Sequence, residues 1–223
     1  MVRLEKVSKI YRTKKGDVKA LDKVSLHVKE GEFVVVRGPS GSGKTTLLLS
    51  AGGMLCPTEG RVIANKSDIY AMSKRERALF RAENIGFVFQ LFHLVPYLNI
   101  LENVLLPAGV GKNKYGQEDA EKLLKRLNLV ERIYHKPSEL SAGEKQRTAV
   151  ARAMLKRPRI ILADEPTGNL DPENSEEIIE YLADFNHRGG TVIIVTHGME
   201  VDQYAARIIH LKKGHIEKSY KCK

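Results

Sequence analysis

One short loop of the chain combines the residue types that bind phosphate groups. It reads Gly38-Pro39-Ser40-Gly41-Ser42-Gly43-Lys44-Thr45, is followed by Thr46, and matches the pattern G-x-x-x-x-G-K-[ST]. Glycines let the backbone turn tightly, so that successive N–H groups point at phosphate oxygens. We expect Lys44 to place its charge beside the β- and γ-phosphates and the Thr45 hydroxyl to bind magnesium. The loop therefore predicts a site for a nucleoside triphosphate with Mg²⁺.

A pair of carboxylates follows a second apolar segment. The run from Ile160 to Ala163 predicts a buried strand, and it ends in Asp164 and Glu165. An acid at a strand end can hold magnesium through water. The next carboxylate can take a proton from an attacking water, as a general base does. Taken alone, the pair could instead mark only where a buried strand enters a turn before Pro166.

A third motif, Leu140-Ser141-Ala142-Gly143-Glu144-Lys145-Gln146-Arg147, opens a predicted long helix. On local grounds it is a capping box of the type S-x-x-E. It also resembles the Leu-Ser-Gly-Gly-Gln signature of the ABC ATPases, with alanine and glutamate at two positions. It precedes the acidic strand at that family's usual interval. Together with the phosphate loop, this order of motifs resembles the ABC ATPase family over essentially the whole chain.

The resemblance implies roles for further residues. Tyr11 resembles the aromatic residue that stacks on adenine, and Gln90 the glutamine that touches magnesium and senses a membrane partner. Asp171 closes a segment that matches the loop crossing the family's dimer. His197 resembles the histidine that contacts the γ-phosphate. Without this context, Tyr11 and His197 would be ordinary core or surface residues.

The implied assembly is a head-to-tail dimer of two copies that binds ATP and Mg²⁺ between them, although a heterodimer with a degenerate partner stays open. The signature of one copy would face the nucleotide held by the other. The expected site residues fall into three groups. They are Glu165 and His197 for catalysis; Thr45, Gln90 and Asp164 for magnesium; and Tyr11, Gly38, Pro39, Ser40, Gly41, Ser42, Gly43, Lys44, Thr45, Thr46, Gln90, Ser141, Ala142, Gly143, Glu144 and Asp171 for the nucleotide.

The elements that must position these residues alternate between buried strands and helices, which predicts an α/β fold with a mainly parallel sheet. Strands are expected at Val2 to Val7, Ala20 to Val28, Phe33 to Val36, Ile85 to Phe89 and Val192 to Val195. Helices are expected at Gly43 to Ala51, Ser73 to Glu83, Asn99 to Leu106, Gln117 to Leu127 and Ser175 to Asn186, with a hairpin around Gly214. We expect a phosphate-loop NTPase core with an N-terminal antiparallel β lobe, formed by residues 1–90 and 159–223, and a helical subdomain inserted at about 91–158.

The composition of the chain limits the cellular compartments and partners that are expected. The chain has 223 residues, of which 42% are hydrophobic, and a formal net charge of +10. The charged start of the sequence lacks a signal-peptide pattern, and no apolar run reaches the roughly 18 residues that cross a bilayer. We expect a cytoplasmic protein in which Cys56 and Cys222 are free thiols. The basic charge fits a solvated surface, an anionic membrane surface or nucleic acid, and does not decide among them.

The choice of partner also depends on the resemblance. The segments Phe89 to Pro96, Leu101 to Val104 and Pro166 to Asp171 resemble the branch that serves lipoprotein release, macrolide and peptide export, and cell division. This branch implies an integral membrane permease-type subunit with an extracytoplasmic domain, and a position on the inner face of the cell membrane. The alternative is an ABC ATPase that acts on the ribosome or on DNA. A single cassette with only short inserted helices argues against it, so no nucleic acid is expected.

Ala142 replaces the first glycine of the signature, and we predict that its methyl group is tolerated because the segment enters a helix with ordinary helical angles. The variant Ala142→Gly should therefore change steady-state ATP turnover less than tenfold, which corresponds to about 1.4 kcal/mol of barrier. A larger increase in turnover would mean that the methyl group obstructs the site.

Overall fold

Two β-sheets form the framework of the chain in a computed structural model that describes residues 1–14, 16–111 and 115–222. The strands are β1 (Val2–Thr13), β2 (Gly16–Val28), β3 (Phe33–Arg37), β4 (Glu59–Ala64), β5 (Ser67–Asp68), β6 (Ile85–Phe89), β7 (Ile160–Asp164), β8 (Thr191–Val195), β9 (Arg207–Lys212) and β10 (His215–Lys221). The helices are α1 (Lys44–Ala51), α2 (Lys74–Asn84), α3 (Ile100–Leu105), α4 (Gln117–Arg126), α5 (Ala142–Met154) and α6 (Pro172–His187).

The larger sheet has the strand order β10-β9-β3-β8-β7-β6. All neighbours from β9 to β6 are parallel, and only β10 runs antiparallel, at one edge. Strands β3, β7 and β8 are buried on both faces, as their unbroken β-branched runs predict. The carboxyl ends of the parallel strands therefore meet along one edge of the sheet.

The smaller sheet is antiparallel, with the order β2-β1-β4-β5. Its first two strands are longer than the alternating segments predict, and pair as far as Thr13 and Gly16. The sequence Thr13-Lys14-Lys15-Gly16-Asp17 between the two predicted strands is typical of a turn, and its Lys15 lies outside the described residues. Strands β4 and β5 were not predicted, because β4 opens with the polar residues Glu59-Gly60-Arg61 and β5 is two residues long.

The helices start where local capping predicts. Ser73 Oγ accepts a hydrogen bond from the Glu76 N–H, and the Glu76 carboxylate accepts one from the Ser73 N–H, which forms a capping box at the start of α2. Helix α6 starts three residues earlier than predicted. Asp171 caps it by accepting from the Asn174 N–H at 2.9 Å, and proline occupies the first helical position.

Two hydrophobic clusters cover the two faces of the larger sheet. Alternate residues of β3 belong to different clusters: Phe33 and Val35 to one, Val34 and Val36 to the other. The first cluster includes side chains of α3, α4, α5 and α6, and the second includes side chains of α1 and of the antiparallel sheet. The sheet is therefore the central layer of a three-layer α/β arrangement. Within the described ranges, none of the helices has the length and apolarity that a membrane span needs.

The segment before α3 is held by one buried amide. Asn103 has no exposed surface, and its Oδ1 accepts from the Val95 N–H at 2.7 Å. Its Nδ2 donates to the carbonyl oxygens of Val95, Leu98 and Asn99 at 3.0–3.1 Å. The Asn103 side chain thus provides the hydrogen bonds that the backbone itself would provide in a helix or strand.

Replacing this amide by an apolar side chain should destabilise the fold. The variant Asn103→Leu removes the partner of partly buried backbone groups, so we expect the free energy of unfolding in denaturant titrations to fall by about 2 kcal/mol. The exposed change Gln117→Leu is the control and should stay within about 0.5 kcal/mol of the parent chain. An equal effect of the two variants would contradict this role of Asn103.

Candidate nucleotide site

The phosphate loop connects β3 directly to α1 and is held by close backbone packing. Gly38, Gly41 and Gly43 have positive φ angles of 155°, 74° and 103°. A Cβ atom on Gly38 would lie 2.0 Å from the carbonyl oxygen of Leu211, and one on Gly43 would lie 2.1 Å from that of Ala20. Glycine is therefore required at these two positions by both backbone angle and space.

The ammonium group of the loop lysine lies inside the loop. Lys44 is 8% exposed, and its Nζ donates to the carbonyl oxygens of Gly38 at 2.8 Å and Pro39 at 3.1 Å. These bonds hold a positive charge within the turn, beside the first residues of α1. The positive charge of Lys44, the glycine-rich backbone and the start of α1 therefore lie close together, as a phosphate-binding site requires.

A hydroxyl and a carboxylate face each other next to this point. The Thr45 hydroxyl donates to Asp164 Oδ1 at 3.2 Å. The pKa of Asp164 is raised, because the effect of burial exceeds the opposite effects of the Thr45 hydrogen bond and the Lys44 charge. Hard oxygen ligands of this kind fit Mg²⁺. The described part of the chain has no cluster of three or more His, Cys, Asp or Glu side chains that could hold a metal.

The two predicted catalytic residues are in direct contact. Glu165 follows β7 with a positive φ of 46°, a strained angle for a residue with a side chain, and its N–H donates to the Val195 carbonyl oxygen at 2.8 Å. Its Oε1 lies 3.1 Å from His197 Nε2, and its Oε2 accepts from the His197 N–H at 3.2 Å. The general-base candidate and the γ-phosphate candidate therefore form one unit at the edge of the sheet.

Gln90 lies at the same edge, after β6. Its Nε2 donates to Asn169 Oδ1 at 3.4 Å, and Asn169 Nδ2 donates to the Gln90 carbonyl oxygen at 3.1 Å. A Cβ atom on Gly168 would lie 2.7 Å from the Gln90 amide nitrogen. Sequence reasoning did not single out Asn169, although it belongs to the segment from Gly168 to Asp171 that carries part of the resemblance.

The signature residues open α5 in ordinary helical geometry. Ser141 is the cap, Ala142 is the first helical residue, and Glu144 Oε2 accepts from the Ser141 N–H at 2.8 Å. Burial acts to raise the pKa of Glu144, but hydrogen bonds from Ser141 and Arg132 prevail, and the pKa is lowered. The capping box predicted from the motif is therefore present in the structure. Ala142 does not have a positive φ angle.

The signature is packed against the start of α6. A Cβ atom on Gly143 would lie 1.9 Å from Asn174 Oδ1, so a side chain at this position would displace the Asn174 amide. Asn174 also donates to Asp171 Oδ2 at 2.7 Å, and its hydrogen bonds lower the pKa of Asp171. Sequence reasoning missed Asn174, whose only local signal is its place three residues after the capping Asp171.

The predicted site residues therefore fall into separate groups. The phosphate loop, Asp164, Glu165, Gln90 and His197 lie along one sheet edge. Among the described residues, no hydrogen bond or ion pair joins the signature to the phosphate loop. Tyr11 lies on β1, paired with Val18, with 40% of its surface exposed and Lys9 Nζ 5.5 Å from the ring centroid. In the part of the chain that the structure describes, no hydrogen bond or ring contact joins the Tyr11 side chain to the phosphate loop.

Comparisons with known proteins place the chain in a family. The ABC transporter family model matches residues 21–168. A lipoprotein-releasing system ATP-binding protein, LolD 2 of Caulobacter vibrioides, is 42% identical over 217 residues that cover 96% of this chain and 95% of that protein. The macrolide export ATP-binding/permease protein MacB of Bdellovibrio bacteriovorus is 42% identical over 97% of this chain, which spans only 33% of that protein. The chain belongs to the ABC transporter family.

Solved structures agree with this assignment. The ATP-binding cassette MJ0796 of Methanocaldococcus jannaschii, in a dimeric post-hydrolysis state bound to ADP and Pi, superposes with a TM-score of 0.94 at 41% identity, over 100% of this chain and 99% of that one. The predicted α/β fold is confirmed. The chain is an ABC transporter ATP-binding subunit and an ATPase.

The raised pKa of Asp164 generates a stability prediction. In buffer without nucleotide or metal, Asp164→Asn should raise the thermal midpoint at pH 7, because it removes a partly buried carboxylate. Since the pKa is higher in the folded than in the unfolded chain, the parent loses stability as the pH rises through the folded pKa. The gain should therefore shrink as the pH falls towards about 3.9, the ordinary value for aspartate.

Asp171→Asn is the matched control with the opposite sign. Its pKa is lowered in the folded chain, so the carboxylate adds stability at pH 7, and this is lost as the pH falls through the folded pKa. Thermal midpoints of the three proteins between about pH 2.5 and pH 7 test both directions, because the contribution of Asp171 is lost only below the ordinary aspartate pKa of about 3.9. A destabilised Asp164→Asn at pH 7 would show that the carboxylate is well solvated or paired.

Proposed function

We propose that the chain hydrolyses ATP as a head-to-tail dimer of two copies and drives a separate membrane subunit from the inner face of the membrane. The observation that carries the proposal is the contact between Glu165 and His197 at the same sheet edge as Thr45 and Asp164. A general base, a polar partner for it, and a phosphate loop are thus arranged within one chain.

The residues divide the chemistry among themselves. Loop N–H groups and Lys44 bind the β- and γ-phosphates. A water attacks the γ-phosphorus while its proton passes to the Glu165 carboxylate, and the bond from the γ-phosphorus to the β-phosphate oxygen breaks. His197 orients Glu165 and donates to the γ-phosphate. Thr45, Asp164 and Gln90 would hold Mg²⁺, which when bound neutralises charge on the phosphates.

The dimer follows from where the signature lies. Ser141 and Ala142 are exposed at the start of a 13-residue helix, whose free N–H groups favour an anion. They make no polar contact with their own phosphate loop among the described residues, so in our proposal they serve the nucleotide of a second copy. The dimeric state reported for MJ0796 supports this arrangement. Tyr11 would stack on adenine, and Asp171 would lie at the dimer contact.

The membrane partner is proposed from the relatives and from surface chemistry. The names of LolD and MacB refer to lipoprotein release and macrolide export. Within residues 91–158, the proposed helical subdomain, Leu91, Tyr97 and Tyr134 are 68%, 75% and 72% exposed. Large exposed apolar side chains often mark protein contacts. We propose that they face a permease-type subunit with an extracytoplasmic domain, which would determine the cargo.

Glu165→Gln is the direct test of the catalytic assignment. The amide cannot accept the proton of the attacking water, so we expect ATP turnover to fall by about a hundredfold or more, with ATP binding retained. Sedimentation with ATP and Mg²⁺ should show a dimer that persists, since the γ-phosphate is not removed. The control Glu176→Gln, on the exposed face of α6, should hydrolyse ATP like the parent and not persist as a dimer.

The same variant tests the choice of partner. Tagged Glu165→Gln is purified with ATP from gently solubilised native membranes, and co-purifying chains are identified. One multi-spanning protein with a large extracytoplasmic domain supports the transport assignment. Ribosomal proteins or DNA in its place would contradict it and leave only the ATPase dimer.

A further inference from the structure

An ion pair connects the start of the phosphate loop to the segment after His197. Arg37 is the last residue of β3 and immediately precedes Gly38. Its Nη1 donates to Asp202 Oδ2 at 3.0 Å and its Nη2 to Asp202 Oδ1 at 2.6 Å, a two-point contact. Nη2 also donates to the carbonyl oxygen of Gly198, the residue after His197. A single guanidinium therefore bonds two points of one segment.

The segment from His197 to Asp202 is tied to the rest of the chain at three places. At its start, His197 contacts Glu165. In its middle, Glu200 Oε1 accepts from the Thr167 hydroxyl at 3.2 Å. At its end, Asp202 contacts Arg37. The contacts of His197 and Glu200 go to residues that follow β7, whereas Asp202 and the Gly198 carbonyl oxygen are both bonded by Arg37, in the strand that enters the phosphate loop.

The burial of the Arg37 contact makes it more than a surface ion pair. The side chains of Arg37 and Asp202 are 15% and 31% exposed. A bidentate arginine–carboxylate contact fixes direction as well as distance. Arg37 Nε is buried and has no hydrogen-bond partner among the described residues, so the guanidinium depends on Asp202 and Gly198 for compensation. Loss of either partner would leave the buried guanidinium with less compensation for its charge.

We infer that Arg37 is a positioning residue for His197, acting through Asp202 and the Gly198 carbonyl. This inference rests on the proposed catalytic role of His197. Arg37 holds the His197 segment in register with the phosphate loop, so the imidazole stays both on Glu165 and facing the bound nucleotide. We expect the effect in the chemical step, because the guanidinium hydrogen bonds of Arg37 go to the segment that carries His197.

The first experiment measures steady-state ATP hydrolysis of Arg37→Met, Arg37→Lys and Asp202→Asn. A misplaced catalytic group costs on the order of tenfold to a hundredfold in kcat, and we expect this loss for Arg37→Met and Asp202→Asn, with little change in KM for ATP. Arg37→Lys keeps the charge but not the two-point contact, so its kcat should lie between that of these two variants and that of the parent.

Arg207→Met is the matched control. Arg207 is similarly buried, at 19% exposed, pairs with Glu32 at 2.8 Å and donates to the His27 carbonyl oxygen at 2.6 Å. Arg207 is the first residue of β9, so it lies at the amino ends of the parallel strands, opposite the carboxyl ends where the phosphate loop begins. Loss of this pair should lower the thermal midpoint about as much as Arg37→Met does, without the loss in kcat. An equal loss of kcat in both variants would overturn the inference in favour of general destabilisation.

A double-mutant cycle tests whether Arg37 acts through His197. If it does, Arg37→Met causes no further loss in the His197→Ala background, whereas independent effects multiply. The ¹⁵N NMR signal of the His197 ring is a second readout that needs no turnover. It should shift in Arg37→Met and Asp202→Asn and stay in place in Arg207→Met. An unmoved ring signal, or multiplicative losses, would overturn the inference.

The two proposals can fail separately. If His197→Ala hydrolyses ATP like the parent, the catalytic role of His197 is wrong, whatever the ring signal does. If His197→Ala loses activity while Arg37→Met leaves both kcat and the ring signal unchanged, the proposed function stands and the positioning role of Arg37 is wrong.

Discussion

The parallel pairing of β3, β8, β7 and β6 is the constraint on which the rest of the site depends. Each of these strands ends at the same sheet edge, and each is followed at once by a polar group: the phosphate loop, His197, Asp164 with Glu165, and Gln90. These groups are far apart along the chain. They are close in space because neighbouring hydrogen-bonded strands lie only about 4.8 Å apart. Hydrophobic burial on both faces of the sheet fixes this register.

Three locally unfavourable features lie at this edge and are held by the surrounding structure. Glu165 has a left-handed backbone, Lys44 is buried within the turn, and the pKa of Asp164 is raised by burial. Each feature costs stability in isolation and serves a site that must bind a triphosphate with a cation. The hydrogen bond from the Glu165 N–H to the Val195 carbonyl oxygen shows how the neighbouring strand maintains one of these conformations.

Local sequence patterns predicted most elements because their causes are local. Unbroken β-branched runs mark β3 and β8, and S-x-x-E capping boxes mark the starts of α2 and α5. Strand β4 has no such pattern, because it opens with polar residues. Its Gly60 has a φ of 88° and packs against the backbone of Glu5 and Lys6, which is a tertiary contact. The assignment of residues 91–158 to a separate helical subdomain stays a prediction.

The sequence by itself determined the chemistry of this protein: the loop from Gly38 to Thr45, the acids Asp164 and Glu165, and the order of motifs that marks an ABC ATPase. Only the tertiary structure decided which groups meet. It joined Glu165 to His197, Gln90 to Asn169 and Arg37 to Asp202, and it placed the signature against Asn174 instead of its own phosphate loop. The physical reason is that residue type and spacing encode local conformation, whereas contacts between distant segments depend on strand order and on burial of the whole sheet.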